Sequence, residues 1–295
     1  MANLVALQTT LQAALDPLLT AVVASESHTA DPSAHPWSTG LPLRWGRSPT
    51  LISYVLRLPS QGHQSPQTGI QALLTAWRSP REAHPEHLPA LIKAYTRADP
   101  LPPGQILFVP TPTALGGWLW AFTAAPVEMT DLGAGSPPPT RPFPAIRLPP
   151  KSAPLAARLQ LSPLALVQYT HMRCHQLAHS PLTIHPEPGT ALPPVPWLDQ
   201  LAPTTAASRQ VIRRLVKLVD QMALSRPSDG EAWSQTAQTQ ILRSGYQLCE
   251  AADLWLGEVR LATLEAGTIA LLQGVERGLK HLLLTWLQSP APDRL

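Results

Sequence analysis

The sequence predicts a mainly α-helical protein, with a C-terminal antiparallel helical bundle preceded by a small α/β (α+β) N-terminal domain. Three observations carry this expectation. From Pro163 onward, apolar residues recur at three- and four-residue spacing in long stretches. Before residue 130, helical stretches are interrupted by short alternating segments bounded by prolines. Between the two, residues 131–154 contain Gly133-Ala134-Gly135 and Pro137-Pro138-Pro139, the composition of an extended connector with polyproline character. The expected organisation is therefore an N-terminal domain at 1–130, a linker at 131–154 and a bundle at 155–295.

In the first domain, Leu4, Leu7, Leu11, Leu15, Leu18 and Val22 fall on one face, which predicts an amphipathic helix over residues 3–24. Pro17 is expected to kink or restart it. Residues 25–42 are polar and turn-rich. The alternation over 52–58 predicts a strand. Helices are expected over 69–77 and 88–98, a strand over 105–109, and a helix over 113–124 that Gly116-Gly117 weakens. Gly133-x-Gly135 is not a phosphate loop, because prolines stand where its helix would have to begin.

In the second domain, Pro163 sits well at the first turn of a helix. Residues 182–203 are proline-rich and predict a long loop. A clear amphipathic helix is expected over 208–224, where Val211, Leu215, Leu218 and Met222 form one row beside Ile212, Val216 and Val219. Further helices are expected over 233–261, whole or broken, and over 269–287, stopped by Pro290 and Pro292. Four helices of this length can bury a shared core.

Composition narrows the function classes. Of 295 residues, 44% are apolar and 14% charged, enough apolar content for a core and few charges to spare. Thirty-five prolines are too many for helix interiors, so much of the chain must be turns and connectors. A net charge of +3 gives no blanket electrostatic argument for a nucleic-acid partner. Two cysteines, Cys174 and Cys249, suit a reducing compartment better than a disulfide framework. The sequence predicts neither a secretory leader nor a membrane span, and the expected location is cytoplasmic.

Two stretches resemble a known family. Ser162-Pro163-Leu164-Ala165-Leu166-Val167-Gln168-Tyr169-Thr170-His171-Met172-Arg173 is similar to the opening helix of the anticodon-binding domain of arginyl-tRNA synthetases, worded there Asn-Pro, an aromatic pair, then Val-Gln-Tyr-Ala-His-Ala-Arg. The tail, Ser289-Pro290-Ala291-Pro292-Asp293-Arg294-Leu295, resembles the Ala-Pro-Glu-Arg-Met ending of those enzymes. Leu155-Ala156-Ala157-Arg158 stands where the family carries Asp-Ala-Leu-Arg, without the acidic first residue. The N-terminal element order is similar to that of the family's small tRNA-contacting domain. The resemblance implies a stand-alone anticodon-binding-type bundle whose partner is tRNA or another structured RNA.

The same resemblance argues against catalysis. The His-x-Gly-His motif and the Lys-Met-Ser-Lys-Ser loop of the class I synthetases are absent. The lysines are Lys93, Lys151, Lys217 and Lys280, none in such a loop. No catalytic residue, cofactor or nucleotide site is expected.

Candidate RNA contacts are Arg209, Arg213, Arg214 and Lys217 on one helix, with Arg277, Lys280 and Arg294 near the C-terminus. Guanidinium groups suit phosphate oxygens, and planar groups stack on splayed bases. Gln168, Tyr169 and Arg173 match the family motif. Where the family has Phe-Asn-x-Phe-Tyr, this chain has Ala252-Asp253-Leu254-Trp255-Leu256, which leaves Trp255 as the remaining aromatic platform. These charges also fit an ordinary solvated helix face. The alternative function is a protein–protein module, in which arginines and some of the nine tryptophans would anchor a protein partner. His171, Cys174, His175 and His179 share a helical face, and two His at i and i+4 can hold zinc. Residues 172–174 lack the Glu of His-Glu-x-x-His, so no metal is expected there.

Overall fold

The computed structural model of this protein describes residues 4–26, 43–58, 66–79, 85–125, 161–180, 192–225, 234–259, 265–287, 289 and 291–292. The predicted connector at 131–154, the segment Leu155-Ala156-Ala157-Arg158 and Arg294 lie outside the described residues. The chain is mainly helical, with a small four-stranded antiparallel sheet. It divides into two compact units, one of Leu7–Trp118 with Ala191–Asp199, the other of Met1–Ala6, Leu119–Thr190 and Gln200–Leu295.

The first unit begins with α1 (Leu7–Glu26), whose apolar face buries Leu7, Leu11, Ala14, Leu15 and Leu19. The helix runs through Pro17 without restarting. Pro17 removes the amide that would bond the carbonyl of Ala13, and both residues are exposed, so water can serve that carbonyl instead. Strand β1 (Leu43–Trp45) pairs with β2 (Tyr54–Arg57), which is shorter than the predicted strand. Helix α2 (Pro66–Arg78) and helix α3 (Leu88–Ala94) follow. The helix expected to reach residue 98 ends at Ala94, because Thr96–Leu101 forms strand β3. Strand β4 (Gln105–Pro110) returns antiparallel to β3 through a turn with a cis Pro102–Pro103 bond and Gly104 at φ 64°.

The sheet order is β1-β2-β4-β3, which leaves β1 and β3 as edges. Pro100 therefore lies in an edge strand, where a missing amide is tolerated. Tyr54 pairs with Phe108 and Leu56 with Ile106, and all four are buried. Trp77 meets Phe108 edge-on at 4.9 Å, and its Nε1 donates to the Thr96 carbonyl at 3.0 Å. Burying a side chain such as Leu73 or Phe108 stabilises the unit by ~1.5–3 kcal/mol. Gln8 Nε2 ties α1 to the edge strand by donating to the Leu43 carbonyl at 2.7 Å. Helix α4 (Pro112–Ala124) forms despite its two glycines, and the division between units falls inside it, after Trp118.

In the second unit, α5 (Pro163–Ala178) starts where Ser162 Oγ accepts the Ala165 amide at 3.2 Å. The region predicted as a long loop contains a short helix, α6 (Val195–Leu201), begun at Val195-Pro196 with proline near its first turn and belonging up to Asp199 to the first unit. Helices α7 (Ala206–Leu224), α8 (Gln235–Leu256) and α9 (Ala266–His281) follow. A π-helical turn, Leu282–Trp286, continues α9. Helix α7 packs on α8 and α9, and α5 packs on α8 and α9. Their buried rows include Val167, Leu215, Leu218, Leu248 and Leu272. Among the described residues, no helix is long and apolar enough to cross a membrane.

Close approach of α9 to α7 depends on two glycines. A Cβ at Gly274 would lie 2.6 Å from Leu119 Cδ1 and 3.0 Å from Leu215 Cδ2. One at Gly278 would lie 2.7 Å from Leu215 Cδ1. We therefore expect Gly274→Val to destabilise the protein by about 1–3 kcal/mol through overpacking. Urea unfolding should show a lower midpoint at an unchanged slope.

Candidate functional site

The basic residues on α7 are presented by the way that helix is built. Its start is fixed by a capping box: the Ser208 amide donates to Thr205 Oγ1 at 3.1 Å, and the Thr205 amide donates to Ser208 Oγ at 3.0 Å. Val211, Ile212, Leu215, Val216, Leu218, Val219 and Met222 are buried. That packing leaves Arg209 exposed and Arg213, Arg214 and Lys217 half-buried.

These cations disturb one another. Burial lowers the Lys217 pKa from its ordinary value, and the nearby charges of Arg214 and Arg213 lower it further. Arg214 is lowered by burial and then by Arg213, while Glu250 opposes the shift. Arg213 is lowered by burial. Arg214 is also held by Gln247 of α8, its Nη1 donating to Oε1 at 2.5 Å. Asp220, fully buried farther along α7, has an interaction of its own.

The other predicted residues are placed differently. Arg173 is ion-paired to Asp253 of α8 at 2.8 Å, and its guanidinium lies 5.5 Å from the centre of the Tyr169 ring. Gln168 Nε2 donates to Ser289 Oγ at 3.2 Å. His171 Nδ1 donates to the Pro292 carbonyl at 3.1 Å. Residues of the α5 motif therefore touch the tail segment. Trp255, expected as a base-facing platform, is only 3% exposed and lines a cleft at the starts of α7 and α9. Arg277 is likewise engaged, its Nη1 donating to the Thr123 carbonyl at 3.0 Å while the guanidinium lies over Phe122. Lys280 is half-buried on α9, apart from the α7 group in sequence.

Two further features were not legible in the sequence. Glu276 of α9 meets the histidine face of α5: His175 Nδ1 donates to Oε1 at 2.9 Å and His179 Nε2 to Oε2 at 3.2 Å. A cleft of about 240 Å³ lies at the starts of α7 and α9, lined among others by Thr204, Thr205, Trp255, Glu258, Glu265 and Thr268. Its two carboxylates disfavour phosphate. Cys174 and Cys249 are buried, and burial raises both thiols, Cys249 to about 12, so neither is a thiolate at neutral pH.

No protein-family model, curated protein or solved structure matches this chain.

His171 supplies a pH test of this region. Its pKa lies below the ordinary 6.5, first because burial disfavours the charged ring; Glu276 and the Pro292 carbonyl oppose the shift. With the folded-state pKa depressed, the stability it contributes is present above pH 6.5 and is lost as the pH falls through the folded value. Urea midpoints at pH 7.5 and 5.5 should therefore differ more for the natural protein than for His171→Phe.

Proposed function

We propose that this protein is a cytoplasmic, non-catalytic RNA-binding protein whose second unit is an antiparallel helical bundle of the arginyl-tRNA-synthetase anticodon-binding type. Its ligand is tRNA or another structured RNA. The observation that carries the reading is the α7 group: Arg209 exposed, with Arg213, Arg214 and Lys217 half-buried on the same helix, where burial first and neighbouring arginines second lower the affinity of Arg214 and Lys217 for protons. Phosphate oxygens satisfy both the charge and the donor geometry of such a group.

Other features support the same reading. The packing of α5, α7, α8 and α9 around shared apolar rows suits a four-helix bundle. The two stretches that resemble the synthetases adjoin one another through Gln168–Ser289 and His171–Pro292. Free, buried cysteines fit a reducing cytoplasm. The protein-partner alternative draws on arginine and tryptophan anchors and modest charge, and among the described residues every tryptophan is buried or half-buried. With Trp255 buried, RNA contact on this surface is mainly to the backbone and weakly selective for sequence.

The test is a gel-shift or filter titration with total tRNA and an unstructured RNA control at two salt concentrations. Three or four phosphate contacts predict that affinity falls roughly 20- to 150-fold between 50 and 200 mM salt. Arg213→Glu/Lys217→Glu should weaken binding by about tenfold or more. Aminoacylation with arginine should be absent. Binding indifferent to salt and to the charge reversal would defeat the RNA reading, and capture of a protein partner that survives high salt would favour the alternative.

A further inference from the structure

The histidine face of α5 lacks a carboxylate within its own helix, and the fold supplies one from α9. His175 and His179 stand one turn apart, with ring centroids 4.5 Å from each other. Glu276 reaches both rings, one oxygen to each, at 2.9 and 3.2 Å. One ligand atom from each of the three residues lies within 4.8 Å of the others. Ligands around a tetrahedral ion with bonds of about 2.0–2.2 Å stand about 3.3 Å apart, so little closure is needed.

We propose that His175, His179 and Glu276 form a binding site for a divalent transition-metal ion of the zinc class. Two imidazole nitrogens with one carboxylate suit Zn²⁺ and its neighbours in the first transition row, whereas Mg²⁺ and Ca²⁺ prefer oxygen throughout. On binding, the ion takes the place of the two ring hydrogens now directed at Glu276, and each ring carries its hydrogen on its other nitrogen. Three protein ligands leave a fourth position for water.

The surroundings favour a site that is held and reachable. The Glu276 side chain is 12% exposed, between Val275, which is buried, and Arg277, which is anchored to the Thr123 carbonyl. On α5, Cys174 and Ala178 are fully buried and fix the helix that presents both rings. His179 is 47% exposed and gives an ion entry from solvent. His171 flanks the trio, its ring stacked 6.3 Å from His175 and its Nε2 buried without a hydrogen-bond partner among the described residues. The ion would join α5 to α9 and does not depend on the RNA reading.

The experiment uses the full, tag-free chain stripped with a chelator. Zn²⁺ is titrated in competition with a chromogenic chelator, and Co²⁺ is added separately to read the visible bands of a tetrahedral site. The expected result is one zinc ion per chain at micromolar affinity or tighter, the cobalt spectrum, and a rise in thermal midpoint with zinc. His179→Ala and Glu276→Gln should each weaken zinc at least about tenfold, and His87→Ala, in the other unit, should not. His179 is the half-exposed cap of α5, so its variant should keep the circular dichroism of the natural protein. Zinc binding weaker than micromolar, or equal affinity in the natural protein and both variants, would overturn the proposal.

Discussion

Leu215 occupies the place where α7 meets α9, and it fits because positions 274 and 278 carry no side chain. Cβ atoms there would meet Leu215 at 3.0 and 2.7 Å, so the two glycines set how near the helices can come. Much of the second unit follows from that approach. With α9 seated on α7, Glu276 can also reach the histidines of α5, and Arg277 can reach the Thr123 carbonyl. The closeness has a cost in helix propensity, since glycine in a helix interior is unfavourable by about 1 kcal/mol relative to alanine. Packing of Leu215 and its neighbours offsets it.

The same burial sorts the polar groups. Positions along α7 that face its neighbours are mostly apolar, with Asp220 the buried charge, so its cations lie on what remains of the surface. Burial and neighbouring arginines then lower the affinity of Arg214 and Lys217 for protons, which is the basis of the proposed anion contact. Elsewhere burial has the opposite effect. It closes the Trp255 ring off from solvent, and it engages Arg173 with Asp253 and Arg277 with a backbone carbonyl. A basic residue seen in sequence is therefore a candidate contact only if no local acid or carbonyl claims it.

Residues of α5 illustrate how a motif can serve the fold. Gln168 and His171 both reach the tail, at Ser289 and Pro292, each across 121 positions of chain. The contacts give half-buried Gln168 and buried His171 partners across the unit. Family-like wording at these positions is thus consistent with a role in docking the tail, whatever the surface of α7 binds.

The sequence by itself determined the long helices, though not the short α6, because their signals are local: apolar residues at three- and four-residue spacing, caps such as Ser162 and Thr205, and prolines at first turns. It also located the basic group on α7, since residues 209–217 are neighbours on one helix. It misplaced what depends on pairing at a distance. The first half of strand β3, residues 96–98, falls in the helix expected over 88–98 because its partner, β4, decides its conformation, and three-residue β1 exists through its pairing with β2. The burial of Trp255 and the engagement of Arg277 with the Thr123 carbonyl could not be read in the sequence, because burial is a property of the packed chain. The carboxylate beside His175 comes from 101 residues away and from another helix, so no spacing rule within α5 could reveal it. Local periodicity fixes elements, whereas only tertiary packing decides which side chains meet and which still face the solvent.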